Sequence, residues 1–452
     1  MLKPPPQALG PAQAATHPAF ALAAADYLAL HQPLDDKGRY LHFDELRHRW
    51  PPTLVPVLCW SMVKSARLKA QSPLLPLDEP VRWAAWMATP QIHKAITLVD
   101  QQATSAALEY MTGRIGEKAH FNYLLNDLIE DEAISSSQLE GAATTTLVAK
   151  DLLKRKRLPR TPDERMILGN YRMMKFAWEQ RRAPLSVQLI EQMHEVGVAG
   201  IDDEKYAPGQ FRNHDQVVVL DGDGNVVHTP PPAQGLETRL QRLVEWVNVD
   251  PVGVEAPGYL HPLIRAIALH FAIGFEHPFR DGNGRVARAL FYWFMFKSDY
   301  CAFRYIAISV LLKNAPVKYG RSYLCTETDD LDLTYFIDYQ CAVIVRAVSS
   351  FSEAYTRSLA DAQSFEHWLR GSELYAHLNE HQRAVLQVAR SGSEREFTAV
   401  TVKENLGCSY NTASAALNGL VDLDLFIKNK RGREWVFRMV DQAAIQRMWT
   451  RP

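Results

Sequence analysis

The chain has 452 residues, of which 47% are hydrophobic and 22% charged, and a formal net charge of −1. That is an ordinary globular composition, with room for about two to four domains at roughly 150 residues each. No global basic field draws such a chain to nucleic acid or membrane, so any DNA contact has to come from a local patch.

No apolar run approaches the ~20 residues of a membrane helix, and the opening residues lack a secretory pattern. A cytoplasmic protein without membrane contact is expected. Cys59, Cys301, Cys325, Cys341 and Cys408 are odd in number and form no C-x-x-C pair. They fit neutral thiols in a reducing compartment better than a disulfide framework or metal site.

In chain order, residues 1–15 read as a disordered tail, because Pro4-Pro5-Pro6 blocks helix and little can be buried there. Residues 16–118 read as a helical region punctuated by Pro51-Pro52, Pro73, Pro76 and Pro80. Within it, Ile92, Ile96, Val99, Ala103 and Ala107 fall at helical spacing, which predicts one amphipathic helix over Gln91–Tyr110. Further helices are predicted over His120–Ala133, Thr145–Arg155, Pro162–Gln180 and Ser186–Val196. Pro162 after Thr161, with Asp163 and Glu164 in the first turn, is a strong start signal.

The pattern changes at Pro208-Gly209-Gln210-Phe211-Arg212. Val217–Leu220 and Val226-Val227 flank Asp221-Gly222-Asp223-Gly224-Asn225, a β-hairpin pattern. The acidic turn lacks the other ligands and the closing Glu of a calcium loop. Helix resumes over Ala233–Val249 and Tyr259–Phe275, and again from Leu331 to about Leu369. The last stretch, 375–452, predicts three helices and a hairpin around Lys430-Arg431-Gly432-Arg433, the pattern of a winged helix-turn-helix.

Between two apolar helices stands His277-Pro-Phe-Arg-Asp-Gly-Asn-Gly-Arg-Val-Ala-Arg288. A glycine-rich loop opening a helix can hold a phosphate, because backbone N–H groups face the anion and the helix dipole favours negative charge. The twelve residues match H-P-F-x-D-G-N-G-R-x-x-R without a gap. The chain therefore resembles the Fic-domain family over about residues 120–330. Most members transfer AMP from ATP to a protein hydroxyl.

The resemblance implies a Fic-type helical core with a β-hairpin flap at about 211–229; with the C-terminal winged helix-turn-helix read from its own pattern, the expected fold is mostly α. It implies His277 as general base, Phe279 as an apolar anchor and Asp281 as the Mg²⁺ ligand. The nucleotide would lie on Gly282, Asn283, Gly284, Arg285, Val286, Ala287 and Arg288. Physically, a neutral imidazole suits proton removal from a hydroxyl. The glycines allow close backbone approach, Asn283 and Arg285 would supply side-chain donors, and Arg288 would hold the terminal phosphate. Lys313-Asn314 and Tyr319 resemble the stretch that meets adenine, with Asn314 the candidate contact. Glu276 stands where the family more often has an apolar residue, and is expected to face solvent.

Ser136, Glu140 and Gly141 fit the family's inhibitory pattern Ser/Thr-x-x-x-Glu-Gly/Asn, placed before the core. The implied brake is an ion pair from Glu140 to Arg288 that denies this arginine to the γ-phosphate. In some relatives the same glutamate serves AMP removal, so the reverse reaction stays open, as does a homodimer. The flap would dock an extended segment of a protein substrate.

The domains expected are the 1–15 tail, the 16–118 helical region, a 119–330 core with the inhibitory segment 135–141, a 331–374 connector and the 375–452 module. A competing reading makes the chain a DNA-binding regulator. Lys428, Lys430, Arg431 and Arg433 in the wing favour it. Against it, Ser409–Leu423 carries no Lys or Arg.

Overall fold

Two helices that are apolar on nearly every side form the middle of the molecule, as such helices must. They are Pro262–Glu276 and Asn283–Lys297, buried along almost their whole lengths and packed on each other, with the loop 277–282 between them. The computed structural model describes residues 2–115, 130–155, 157–201, 206–220, 224–249, 258–391, 396–432 and 434–449.

The elements used below are β1 (Ser72–Leu77), β2 (Arg82–Trp86), α1 (Pro90–Gln102), α2 (Ser105–Ile115), α3 (Thr146–Lys154), α4 (Pro162–Glu179) and α5 (Val187–Val198). They continue with β3 (Val219–Leu220), β4 (Val226–His228), α6 (Leu236–Asn248), α7 (Pro262–Glu276), α8 (Asn283–Lys297), α9 (Ser309–Lys313), α10 (Pro316–Thr328) and α11 (Thr334–Gly371). The last module holds α12 (Glu380–Ser391), α13 (Ala399–Leu406), α14 (Tyr410–Asp422), β5 (Phe426–Arg431) and β6 (Glu434–Met439).

Around α7 and α8 lie α4, α5, α6 and α11, and their inward faces form one core with Phe271, Phe279, Leu290, Trp293 and Phe336. The start of α4 follows the sequence signal: Thr161 accepts from the Glu164 N–H, Pro162 opens the helix, and Asp163 and Glu164 face the positive end of its dipole. Helices α4 and α5 approach so closely that a Cβ on Gly169 would lie 2.2 Å from the Gly197 carbonyl. Residues 130–139 are helical, and Ile134 packs there with Ala149, Leu152, Leu153 and Ile167 of α3 and α4. The expected helix 120–133 lies mostly outside the described residues.

The structure corrects four expectations in the N-terminal region and the flap. Residues 1–15 are not a loose tail throughout: Pro11–Thr16 is helical, Ala14 is buried, and the Leu9 N–H donates to Ser61 Oγ at 2.8 Å. Docking on Leu58 and Cys59 outweighs the composition. The helix expected over 91–110 is two helices, because Ser105 N–H turns to the Asp299 carbonyl and Ala302 N–H takes the Ala103 carbonyl. Residues 72–86 form an antiparallel hairpin instead of helix, with Ala85 bonded to Leu331 and Leu333. Pro73 and Pro76 fit this two-stranded edge, where missing N–H groups are tolerated. In the flap, the strands among the described residues shorten to Val219–Leu220 paired with Val226–His228, and residues 221–223 lie outside the described set.

Helix α11 runs 38 residues, about 57 Å at ~1.5 Å per residue. Its first half belongs to the central core, while Phe365 and Leu369 belong to a second core with Val385, Leu417 and Phe426. That second core carries three helices and the hairpin β5–β6. Thr398 caps α13 and Ser409 caps α14, each accepting a backbone N–H three residues on. No helix among the described residues is long and apolar enough to cross a membrane.

Candidate functional site

His277 ends α7 in the left-handed region, at φ 46° and ψ 59°. Its N–H reaches the Ile273 carbonyl at 3.0 Å, and its Nδ1 lies 3.3 Å from the Gly274 carbonyl. A carbonyl only accepts, so this contact favours the Nδ1–H tautomer and leaves Nε2 bare. Burial lowers the imidazole pKa to about 4, against the smaller opposing pull of the Gly274 carbonyl. The ring is therefore neutral at pH 7, the form that accepts a proton.

The loop is held from within. Asn283 accepts from the Phe279 N–H and donates to the Phe279 carbonyl, both at 2.8 Å. This corrects one expectation: the Asn283 side chain is committed to loop shape rather than offered as a donor. Val286 and Ala287 are buried in the core, so only their backbones lie along the helix start. Gly282 is the N-cap of α8 at φ 86°, and the first α-helical bond runs from Val286 N–H to its carbonyl. The N–H groups of the preceding first turn thus have no acceptor inside the helix. Asp281 receives the Gly282 N–H on Oδ1.

Two guanidiniums converge above that turn. Arg288 is buried. Its Nε donates to Ser136 Oγ at 2.9 Å, while Nη2 donates to the Ser136 carbonyl at 3.1 Å and to Glu140 Oε1 at 2.8 Å. Burial works against its charge, but Glu140, with Tyr319 and Glu132, more than offsets this and raises its pKa. The contact with Glu140 is through one nitrogen, not the bidentate fork. Arg285, also buried, has Nη1 3.4 Å from the Gly197 carbonyl and lies 5.4 Å from the centre of the Tyr206 ring. Its Nε and Nη2, and Nη1 of Arg288, are buried without a hydrogen-bond partner among the described residues. Three unpaired donors of charged groups at a helix N-terminus fit an anion with several oxygens.

The Glu140 carboxylate already leans into this place. A Cβ added to Gly284 would lie 2.3 Å from Glu140 Oε1, so this glycine makes room for it. Gly141 follows at φ 96°, where a glycine is suited to turn the chain. Gln138 is gripped on both sides, donating to the Thr144 carbonyl at 2.7 Å and accepting from Lys313 Nζ at 2.8 Å. Asn314 is exposed at the end of α9, and Tyr319 instead turns inward to His270 Nε2 at 2.8 Å. Among the described residues no group of three His, Cys, Asp or Glu could hold a metal. A lone Asp281 is still a fitting ligand for Mg²⁺, which takes one or two carboxylates and completes its shell with phosphate and water.

Sequence reasoning missed the residues that hold the loop from outside. His194 on α5 stacks on Phe279 with ring centres 3.8 Å apart, and its Nε2 lies 2.9 Å from the Asp281 carbonyl. Burial lowers its pKa to about 4. Arg212 donates from its backbone to the Pro278 carbonyl at 2.8 Å, from Nε to the His277 carbonyl at 2.9 Å, and from Nη2 to the carbonyls of Glu276 and Pro231. His228 of β4 lies between Glu327 Oε2 at 2.7 Å and the Phe275 carbonyl at 2.8 Å. Burial opposes its charge, yet Glu327 prevails and raises its pKa. Glu276 corrects another expectation: it faces inward, not to solvent, in a buried ion pair with Arg239 at 2.8 Å. The one available signal was the break in pattern at 208–212.

Residues 184–295 match the model of the Fic/DOC family, a stretch that holds the loop, α7 and most of α8. Among curated proteins, Protein adenylyltransferase Fic of Nematostella vectensis is 35% identical over 82 residues, 18% of this chain and 16% of that protein. Its namesake from Drosophila willistoni is 29% identical over 136 residues, 30% of this chain and 24% of that protein. The chain thus spans a quarter or less of the length of these two relatives. A Fic family protein from Desulfovibrio desulfuricans is a similar solved structure at 18% identity and TM-score 0.49, covering 79% of this chain and 98% of that one. Fic-1 from C. elegans has 18% identity and TM-score 0.43, covering 59% and 72%.

Proposed function

We propose that this chain is an autoinhibited protein adenylyltransferase, moving AMP from ATP to a Ser, Thr or Tyr hydroxyl of a target protein or of itself. The observation that carries this reading is the contested arginine: Arg288 pairs with Glu140 while donors of Arg285 and Arg288 beside the α8 N-terminus have no partner among the described residues. In the reaction, His277 Nε2 takes the hydroxyl proton as the oxygen attacks the α-phosphorus. The bond from that phosphorus to the β-phosphate oxygen breaks, and pyrophosphate leaves. The first-turn N–H groups of α8 and the Arg285 guanidinium stabilise the charge gathering on the phosphates. Asp281 would hold Mg²⁺, which supplies neutralising charge to the polyphosphate when bound.

The brake follows from the same contacts. Glu140 occupies the space over Gly284 and engages Arg288, so a γ-phosphate competes with it for both the arginine and the helix end. The test is transfer of label from α-labelled ATP. His277→Ala is expected to reduce transfer by about 100-fold or more, and Glu140→Gly to raise it above wild type. Equal transfer by wild type and Glu140→Gly would remove the brake. Loss of a preformed AMP label, faster with Glu140 present, would favour the reverse reaction instead.

For the C-terminal module we infer a winged helix. Lys428 and Lys430 both lie near the exposed Trp435 ring, at 5.6 and 5.8 Å, a basic-aromatic wing suited to phosphate contact. Arg431 is tied to Glu396, and Arg433 lies outside the described residues. Retention on DNA that falls with salt and is lost on changing both lysines to alanine is the expected result. Retention unchanged by the two substitutions would remove phosphate contact by these lysines, and no retention by the unaltered chain would leave the module to protein contact.

A further inference from the structure

One imidazole underlies half of the loop. His194 is fully buried on α5, and its ring lies flat on Phe279, with an interplanar angle of 9°. Nε2 is 2.9 Å from the Asp281 carbonyl, and Nδ1 is 3.1 Å from the Gly209 N–H. A carbonyl can only accept and a backbone N–H can only donate. The pair of contacts therefore specifies one tautomer, with hydrogen on Nε2 and a bare Nδ1. A Cβ on Gly282 would meet the same ring at 3.3 Å, so the loop also rests on its edge there.

These contacts join two chain segments. Gly209 heads the strap 209–212, whose far end is Arg212, bonded to the carbonyls of His277 and Pro278. Arg212 thus holds the histidine end of the loop, and His194 holds the aspartate end. A histidine that merely filled space would not need both ring nitrogens matched to fixed backbone partners. Orienting the Asp281 carbonyl fixes the peptide unit from which the carboxylate projects, and that carboxylate is further set by the Gly282 N–H.

We propose that His194 is a positioning residue that holds the Asp281 carboxylate for the magnesium–nucleotide complex, acting through its Nε2–H bond to the Asp281 carbonyl. The proposal rests on the reading of 277–288 as a nucleotide-binding loop. Outer partners that orient a metal ligand are worth about 10–100-fold in metal affinity or activity.

The test measures ATP binding by calorimetry, with Mg²⁺ and with EDTA, in full-length Glu140→Gly protein. His194→Phe keeps a ring on Phe279 and loses both hydrogen bonds. It is expected to weaken binding with Mg²⁺ by about tenfold or more, and binding in EDTA by less than about twofold. His194→Gln places an amide near the Nε2 position and should recover the Mg²⁺-dependent gain to within about threefold. His194→Asn places its amide near Nδ1 and should not.

An unchanged Mg²⁺-dependent gain in His194→Phe, or equal gains in the Gln and Asn variants, overturns the proposal. If the Phe variant does not unfold cooperatively, the Gln and Asn pair decides alone. A parent that binds magnesium–ATP but transfers no AMP removes the adenylyltransferase reading and leaves His194 to be judged by binding. A parent without any Mg²⁺-dependent gain removes the role of Asp281 and this proposal with it.

Discussion

At the scale of single residues, the buried charges decide most. Glu276 and Arg239 are both almost fully buried, and Arg239 also donates to the carbonyls of Gln234 and Pro232. Burial raises the Glu276 pKa, and the Arg239 hydrogen bond opposes that rise. Removing one partner strands the other charge, at a cost of about 3–5 kcal/mol. Urea unfolding of Glu276→Ala should show a loss of that size, with Glu276→Gln losing less because its amide oxygen still accepts. A loss below about 1 kcal/mol for the alanine variant would mean that Arg239 is satisfied by its two carbonyls alone. The contiguous string His277–Arg288 was legible because its roles are packed into twelve neighbouring residues. His194 and Arg212 were not, because they act on backbone carbonyls 87 and 65 residues away, and no side-chain pattern announces a bond to a carbonyl.

At the scale of elements, close packing without side chains sets the site's floor. A Cβ on Gly169 of α4 would lie 2.2 Å from the Gly197 carbonyl of α5, a carbonyl that also receives Arg285 Nη1. Gly169→Ala therefore has to push the two helices apart, costing about 1–3 kcal/mol and shifting an acceptor of Arg285. Gly320 on α10 is the contrast: no atom of the described residues lies within 4 Å of its added Cβ, so Gly320→Ala should gain about 0.5–1 kcal/mol from backbone entropy. Thermal unfolding midpoints that move in opposite directions for the two variants would bear this out, and equal shifts would refute it. Most helices were legible from apolar spacing and caps, as at Thr161-Pro162. The hairpin 72–86 was not, since Pro73 and Pro76 read as interruptions until Leu331 and Leu333 supply its partner through Ala85.

At the scale of the whole molecule, acid should be its weakness. Burial lowers the pKa of His42, His194 and His277 to about 4 and of His270 to about 3, with the nearby Arg288 charge a second cause for His270. In the unfolded chain each titrates near 6.5. Between those values the unfolded chain binds protons that the fold refuses, so the stability from keeping these rings neutral is complete above about pH 6.5 and falls as pH drops toward 4. His228, whose pKa is raised, acts in the opposite direction, as do the buried carboxyls of Glu132 and Asp332 with raised pKa values. A total for the molecule therefore mixes signs, whereas a single ring can be isolated. His270 donates or accepts only toward Tyr319 among the described contacts, which makes His270→Gln a conservative probe. The stability difference between wild type and His270→Gln, from urea unfolding, should shift against wild type by about 1.4 kcal/mol per pH unit below 6.5. Parallel stability curves from pH 7.5 to 5 would show that the ring is charged, or can charge, within the folded core.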